Sequence, residues 1–253
     1  MDLNLAGKKA IVSGASRGIG RTIARTLAAE GVDLALCARG AEALDEIATE
    51  LSSSVRVFHS PLDVADHDAL RRFVEQAATE LGGLDIVVVN ASAASGRGHD
   101  SWVANFDVDL MSLVYFIEAA VPHLEKSDAA AVVEIATTSA IESGVVRTTG
   151  GYAALKAAAL QHASAQARAL GPSGIRVNAV SPGPIYFEGS GWQDIEKNRP
   201  ELFEAAPKET ALRKFGTDVD VANAVVFLAS PAAGHITGTN LVVDGGFVNR
   251  FDY

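Results

Sequence analysis

Seven short apolar runs, "KKAIVSG", "VDLALC", "VRVFHS", "LDIVVVN", "AVVEIA", "GIRVNAV" and "TNLVVD", recur along the chain, each too short for a typical helix. Between them lie helix-period stretches such as Ile19, Ile23 and Leu27 at four-residue spacing, with Gly31 expected as the C-cap. Hydrophobicity in "LDIVVVN" is continuous rather than alternating, the pattern of a strand covered on both faces. The alternation predicts a doubly wound α/β fold, a parallel sheet with helices on both faces. No internal repeat or Pro/Ser-rich linker interrupts it, so residues 1–253 are read as one domain. The least patterned stretch, about 184–217, is read as an irregular lid over a binding site, with the next clear helix near Val219.

Composition narrows the class. With 48% hydrophobic and 21% charged residues the chain reads as soluble and globular. A formal charge of −10 disfavours nucleic acid, which recruits clustered Lys and Arg. The lone Cys37 cannot form an internal disulfide, and no Cys/His cluster has metal-ligand spacing, so no metal is expected. No apolar run reaches the length of a membrane span and "MDLNLAGKKA" lacks the apolar centre of a signal peptide, so a reducing cytoplasm is expected.

The segment "AIVSGASRGIG" puts Gly14, Gly18 and Gly20 between the first strand and the first helix. There a turn can bring backbone N–H groups and a helix N-terminus to a pyrophosphate, so a dinucleotide site is expected. No G-K-[ST] follows, which excludes an NTP-hydrolysing P-loop. At the end of the second strand, "LALCARG" lacks the acid that would hold a free ribose and supplies Arg39 instead; Arg17 lies within the glycine turn. Two guanidiniums suit a 2′-phosphate, so NADP(H) is expected over NAD(H).

Further along, "GYAALKAA" carries Tyr152 and Lys156 four residues apart, hence on one face of a helix. A free phenol titrates at about 10, and a neighbouring ammonium favours its phenolate, bringing it toward the range of acid–base work.

These motifs, in this order, resemble those of the short-chain dehydrogenase/reductase family, of the 3-oxoacyl-ACP-reductase-like kind, over nearly the whole chain. "SGASRGIG" is similar to the T-G-x-x-x-G-x-G turn with Ser13 for threonine, "LDV" with Asp63 to the adenine contact, and "VNAS" to N-N-A-G, keeping Asn90 and Ala91. "GYAALKAA" resembles the Y-x-x-x-K helix, "VSPGPI" the P-G segment beside nicotinamide, and "LVVDGGF" the C-terminal segment. The resemblance implies seven parallel strands in the order 3-2-1-4-5-6-7 and assembly into homodimers or homotetramers. It implies that Gly14, Ser16, Arg17, Gly18, Ile19, Gly20, Arg39, Asp63, Val64, Asn90, Ala91, Pro182, Gly183 and Ile185 hold the cofactor together with Tyr152 and Lys156. Tyr152 would act as acid/base and Lys156 would lower its pKa and bind the nicotinamide ribose.

Three departures from the family pattern stand out. The substrate-clamping hydroxyl has two candidates: Ser139, thirteen residues before Tyr152, has the common spacing, whereas Thr137, two after Ile135, has the strand register. Asp109 replaces the asparagine of a V-N-L segment, where a carboxylate near Lys156 would favour its charged form. Phe187 falls where many relatives place a threonine, and with Tyr186, Trp192 and Phe203 it suggests an aromatic lid over a fairly apolar substrate. Arg97 and His99 are candidates to meet a polar substrate group. Glu134 is an unexpected charge in a covered strand, and nothing in the sequence accounts for it. The function expected is NADPH-dependent interconversion of a small-molecule ketone and a secondary alcohol. The alternatives are a catalytically weakened NADP(H)-binding sensor and a site turned to dehydration or epimerisation.

Overall fold

All seven apolar runs become strands: β1 Lys9–Ser13, β2 Asp33–Ala38, β3 Val57–Pro61, β4 Ile86–Val89, β5 Ala131–Ile135, β6 Arg176–Pro182 and β7 Asn240–Val243. In the computed structural model, which describes residues 2–142 and 150–249, they form one parallel sheet in the order β3-β2-β1-β4-β5-β6-β7. Every residue of β4 and of β5 is buried, as strands covered on both faces must be. The result is a Rossmann-type α/β domain of the expected order.

Helices α1 Gly18–Ala29, α2 Ala41–Leu51, α3 His67–Leu81, α4 Gly98–Asn105, α5 Ser112–Leu124, α6 Tyr152–Leu170, α7 Gly191–Asn198, α8 Pro200–Glu209 and α9 Asp218–Ala229 complete it. Successive strand side chains serve opposite layers. Ala10 and Val12 of β1 pack with α1, α2 and α9, while Ile11 between them packs with the layer of α3, α5 and α6. The chain runs outward from β1 to β3 and then returns to place β4 against the other side of β1. The crevice at the carboxyl ends of β1 and β4 is therefore the switch point where such sheets bind ligands.

Two local expectations change. Glu30 is the C-cap of α1, and Gly31, one residue on, adopts φ +80 and closes the helix by donating to Ala28 O at 3.0 Å. The stretch read as irregular contains α7 and α8. The Ser190 hydroxyl caps α7 by accepting from Gln193 N, and Pro200 begins α8, where a missing N–H costs nothing. Both helices are short, eight and ten residues, and are set among Gly and Pro residues, so each offers only about two to three turns of its apolar period to read.

Candidate active site

The glycine turn is built around close approach. A Cβ at Gly20 would lie 2.3 Å from Gly14 O and 2.4 Å from Asn90 Nδ2, so only glycine lets α1 sit this close to the end of β1. Asn90 Nδ2 donates to Ser13 O at 3.0 Å and Gly14 O at 3.2 Å, while the Ser13 hydroxyl accepts from the N–H groups of Asn90 and Ala91. The ends of β1 and β4 are thereby stitched together beneath the turn. Arg17, the N-cap of α1, gives no side-chain cap, which leaves backbone donors of the first turn available to an anion. Arg17 and Arg39 are exposed, and neither meets a carboxylate among the described residues. Asp63 is exposed just beyond β3 and accepts from Ala65 N, while Val64 is buried beneath it. Uncapped donors, a glycine cradle and two free cations fit a phosphorylated dinucleotide.

Tyr152 opens α6, and Lys156 follows one turn later with its side chain 3% exposed. The Lys156 ammonium donates to Ile135 O at 2.7 Å and lies 3.4 Å from Asp109 Oδ1 and 3.8 Å from Glu134 Oε1. Asp109 arrives from a π-helical turn, Phe106–Met111, between α4 and α5. Its Oδ2 accepts from Asn105 Nδ2 at 2.7 Å and from Ala93 N at 3.2 Å. Glu134 comes from β5 and is fully buried.

The electrostatics of this group follow from burial and from one cation between two acids. Burial disfavours the Lys156 ammonium, yet the fields of Glu134, Asp109 and Tyr152 hold its pKa above the ordinary lysine value. Burial raises the Tyr152 phenol, opposed by the Lys156 charge and by a hydrogen bond with the Thr137 side chain, and reinforced by Asp109 and Glu134. The net direction for the phenol is upward, opposite to the one the sequence implied. Lys156 does pull it down, but desolvation and the two acids outweigh that pull in the chain by itself.

Two cavities meet at Tyr152. The inner one, about 230 Å³, is bounded by Ile19, Asn90, Lys156, Pro182, Gly183 and Ile185, and so joins the glycine-turn side of the sheet to the lysine. The outer one, about 410 Å³, is lined by Ser139, Glu142, Pro184, Ile195 and Phe247. Thr137, Tyr152, Phe187 and Trp192 border both.

Residues 14–248 match the family model described as "Enoyl-(Acyl carrier protein) reductase". The isoepoxydon dehydrogenase patN of Penicillium expansum is 36% identical over 248 residues, covering 96% of this chain and 95% of that protein. A short chain dehydrogenase from Burkholderia cenocepacia, solved in complex with NADP, has a TM-score of 0.87 at 33% identity, covering 96% of this chain and 98% of that one. The chain belongs to the short-chain dehydrogenase/reductase family. The L-sorbose reductase of Gluconobacter frateurii, solved with NADPH and L-sorbose, reaches a TM-score of 0.92 at 28% identity, covering 99% of this chain and 100% of that one.

As a short-chain dehydrogenase/reductase, the protein is an oxidoreductase, and the placement of its other candidate residues can be read against that chemistry. Thr137 borders both cavities with Tyr152, whereas Ser139 lines the outer one alone and donates its backbone N–H to Thr137 Oγ1 at 3.2 Å. Most of the connection from this turn to Tyr152 lies outside the described residues. Phe187 and Trp192 face the cavities, whereas Tyr186 and Phe203 pack on Phe215 and leave the lid role to the other two. Tyr186 spends its hydroxyl on Glu196, 2.6 Å away. Arg97 and His99 are exposed around the start of α4 and border neither cavity. Sequence reasoning missed Asn105, which holds Asp109; its four-residue spacing from Asp109 was the available signal. No helix among the described residues is long and apolar enough to cross a membrane.

Proposed function

We propose that this short-chain dehydrogenase/reductase uses NADPH to interconvert a fairly apolar ketone and a secondary alcohol, with Tyr152 as acid/base. The observation that carries the reading is the meeting of Tyr152, Thr137 and Lys156 at the junction of a cavity reaching the glycine turn and a second, mainly apolar cavity. The nicotinamide, when bound, supplies or accepts the hydride. Gly14, Ser16, Gly18, Ile19 and Gly20 would hold its pyrophosphate, Asp63 and Val64 the adenine, and Pro182, Gly183 and Ile185 the nicotinamide end. Arg17 and Arg39 would pair with a 2′-phosphate, a preference supported by similar solved structures that contain NADPH or NADP.

In the reducing direction Thr137 holds the substrate carbonyl oxygen and Tyr152 donates its proton to that oxygen as hydride reaches the carbon. Lys156 steadies the phenolate left behind. Ser139, in the outer cavity, contacts more distant parts of the substrate. Residues 184–217, with α7 and α8, form the lid, and Phe187 and Trp192 present its apolar face. A homo-oligomer would cover the exposed Trp102, Val103 and Phe106 of α4 and the turn after it.

The test is fluorescence titration with NADPH and NADH, followed by a panel of aryl ketones, β-keto esters and steroid-like ketones with absorbance at the nicotinamide band. Oxidation of NADPH by one class, lost in Tyr152→Phe, supports the reading. Tight binding without turnover, indifferent to Tyr152→Phe, would instead favour a nucleotide sensor.

A further inference from the structure

Glu134 has neither a surface nor a neutral partner. It lies in β5 between Val89 of β4 and Ala179 of β6, fully buried, and neither of its oxygens has a hydrogen-bond donor among the described residues. It borders neither cavity. The titratable groups facing it are Lys156 and Tyr152 from α6 and Asp109 from the π-helical turn; its own strand supplies none.

Two buried carboxyl groups thus share one ammonium, and if both ionise the interior carries a net negative charge. Asp109 is the better furnished of the two. It has the shorter approach to Lys156, 3.4 Å against 3.8 Å, and two N–H donors on its other oxygen. Hydrogen-bond accounting assigns the charge to Asp109 and a proton to Glu134. Burial acts in the same direction, pushing the Glu134 carboxyl up to about 7 against the pull of Lys156.

We propose that Glu134 is the buried proton store of this site, holding a proton in the resting protein and releasing it to Lys156 once Lys156 has reprotonated Tyr152. The proposal rests on the carbonyl-reducing reading above. In the reducing direction the Tyr152 O–H bond breaks and its proton joins the alkoxide oxygen, while both electrons of the reduction arrive with the hydride. An N–H bond of Lys156 then breaks and its proton joins the phenolate. The Glu134 O–H bond breaks last and its proton restores the ammonium; after product leaves, Lys156, which borders the inner cavity, passes a proton back to the carboxylate and regains one from solvent there. Once complete, release by Glu134 leaves one negative charge in the interior, which would offset the positive charge that loss of hydride leaves on a bound nicotinamide. Glu134 is a positioning residue, since it acts through Lys156.

Infrared spectroscopy of the full chain without cofactor, in light and heavy water from mildly acidic to mildly alkaline pH, reads un-ionised carboxyl groups directly. An un-ionised carboxyl band at neutral pH, fading as pH rises, absent in Glu134→Gln and fading at lower pH in Asp109→Asn, where the competing charge on Lys156 is gone, is expected. Glu134→Asp, a second variant should glutamine disturb folding, keeps a band but moves its titration. No band at neutral pH, or one unchanged in Glu134→Gln, overturns the proposal. In turnover, Glu134→Gln should lower kcat roughly 10-fold with KM unchanged and flatten the pH profile. Turnover without the band defeats the store alone, whereas the band without any carbonyl turnover defeats the reading on which the relay depends.

Discussion

The Lys156 ammonium and the Ile135 carbonyl are joined by a 2.7 Å hydrogen bond that carries the lysine from α6 onto the end of β5. This bond aims the cation between Asp109 and Glu134, so the side chain neutralises the interior as well as serving the phenol. Lys156→Met keeps the length and removes the charge. Denaturant unfolding at neutral pH should register a loss of about 3–5 kcal/mol, the range for stranding a buried partner. Because the folded-state pKa of Lys156 lies above the ordinary value, its contribution is fully present below the ordinary lysine pKa and is lost as pH rises through the folded value. Carbonyl reduction should fall by roughly 100-fold or more in kcat/KM.

Arg39 stands exposed beyond β2, and no carboxylate among the described residues occupies it. Arg39→Ala should weaken NADPH binding by roughly 10-fold while leaving NADH binding unchanged. Fluorescence titrations of both cofactors at two salt concentrations decide the matter, and equal losses for both would remove the 2′-phosphate from the account.

Gly20 is fixed by sterics. Its absent Cβ would fall 2.3 Å from the backbone oxygen of Gly14, which cannot step aside without opening the turn. Gly20→Ala should cost about 1–3 kcal/mol by the overpacking measure. Thermal unfolding should report the loss, and NADPH affinity should fall with it.

The start of α9 carries a reciprocal cap: Thr217 Oγ1 accepts from Asp220 N, and the Asp220 carboxylate accepts from Thr217 N at 2.8 Å. Thr217→Ala should cost about 1 kcal/mol. The Thr217 backbone N–H, followed by its hydroxyl, holds the Asp220 carboxyl below the usual range. That stabilisation is present above the ordinary aspartate pKa and lost as pH falls through the lowered value, so the stability gap between wild type and Asp220→Asn should close in acid.

Sheet order and the dinucleotide turn were legible because both are written locally: a buried parallel strand needs an unbroken apolar run, and a tight βα turn needs glycine. Spacing likewise brought Tyr152 and Lys156 to one helical face. What stayed hidden depends on partners distant in sequence. Glu134 could be seen as a charge in a covered strand, but its relation to Lys156 and Asp109 exists only once β5, α6 and the π-helical turn converge. The competition between Thr137 and Ser139 had the same origin, since spacing to Tyr152 and register from Ile135 named different residues. The short helices α7 and α8 escaped because eight or ten residues, set among Gly and Pro, give an apolar period only about two to three turns in which to show.

The segment from Asn90 to Ala93 touches both halves of the site: Asn90 grips the glycine turn, and Ala93 N holds the carboxylate that faces Lys156. The outer cavity draws Phe187, Trp192, Ile195 and Phe247 from stretches beyond β6 and β7. On the proposed reading, substrate preference can therefore be rewritten in those late stretches while the residues around Lys156 are left as they stand. An engineer who recuts the outer wall inherits the same freedom.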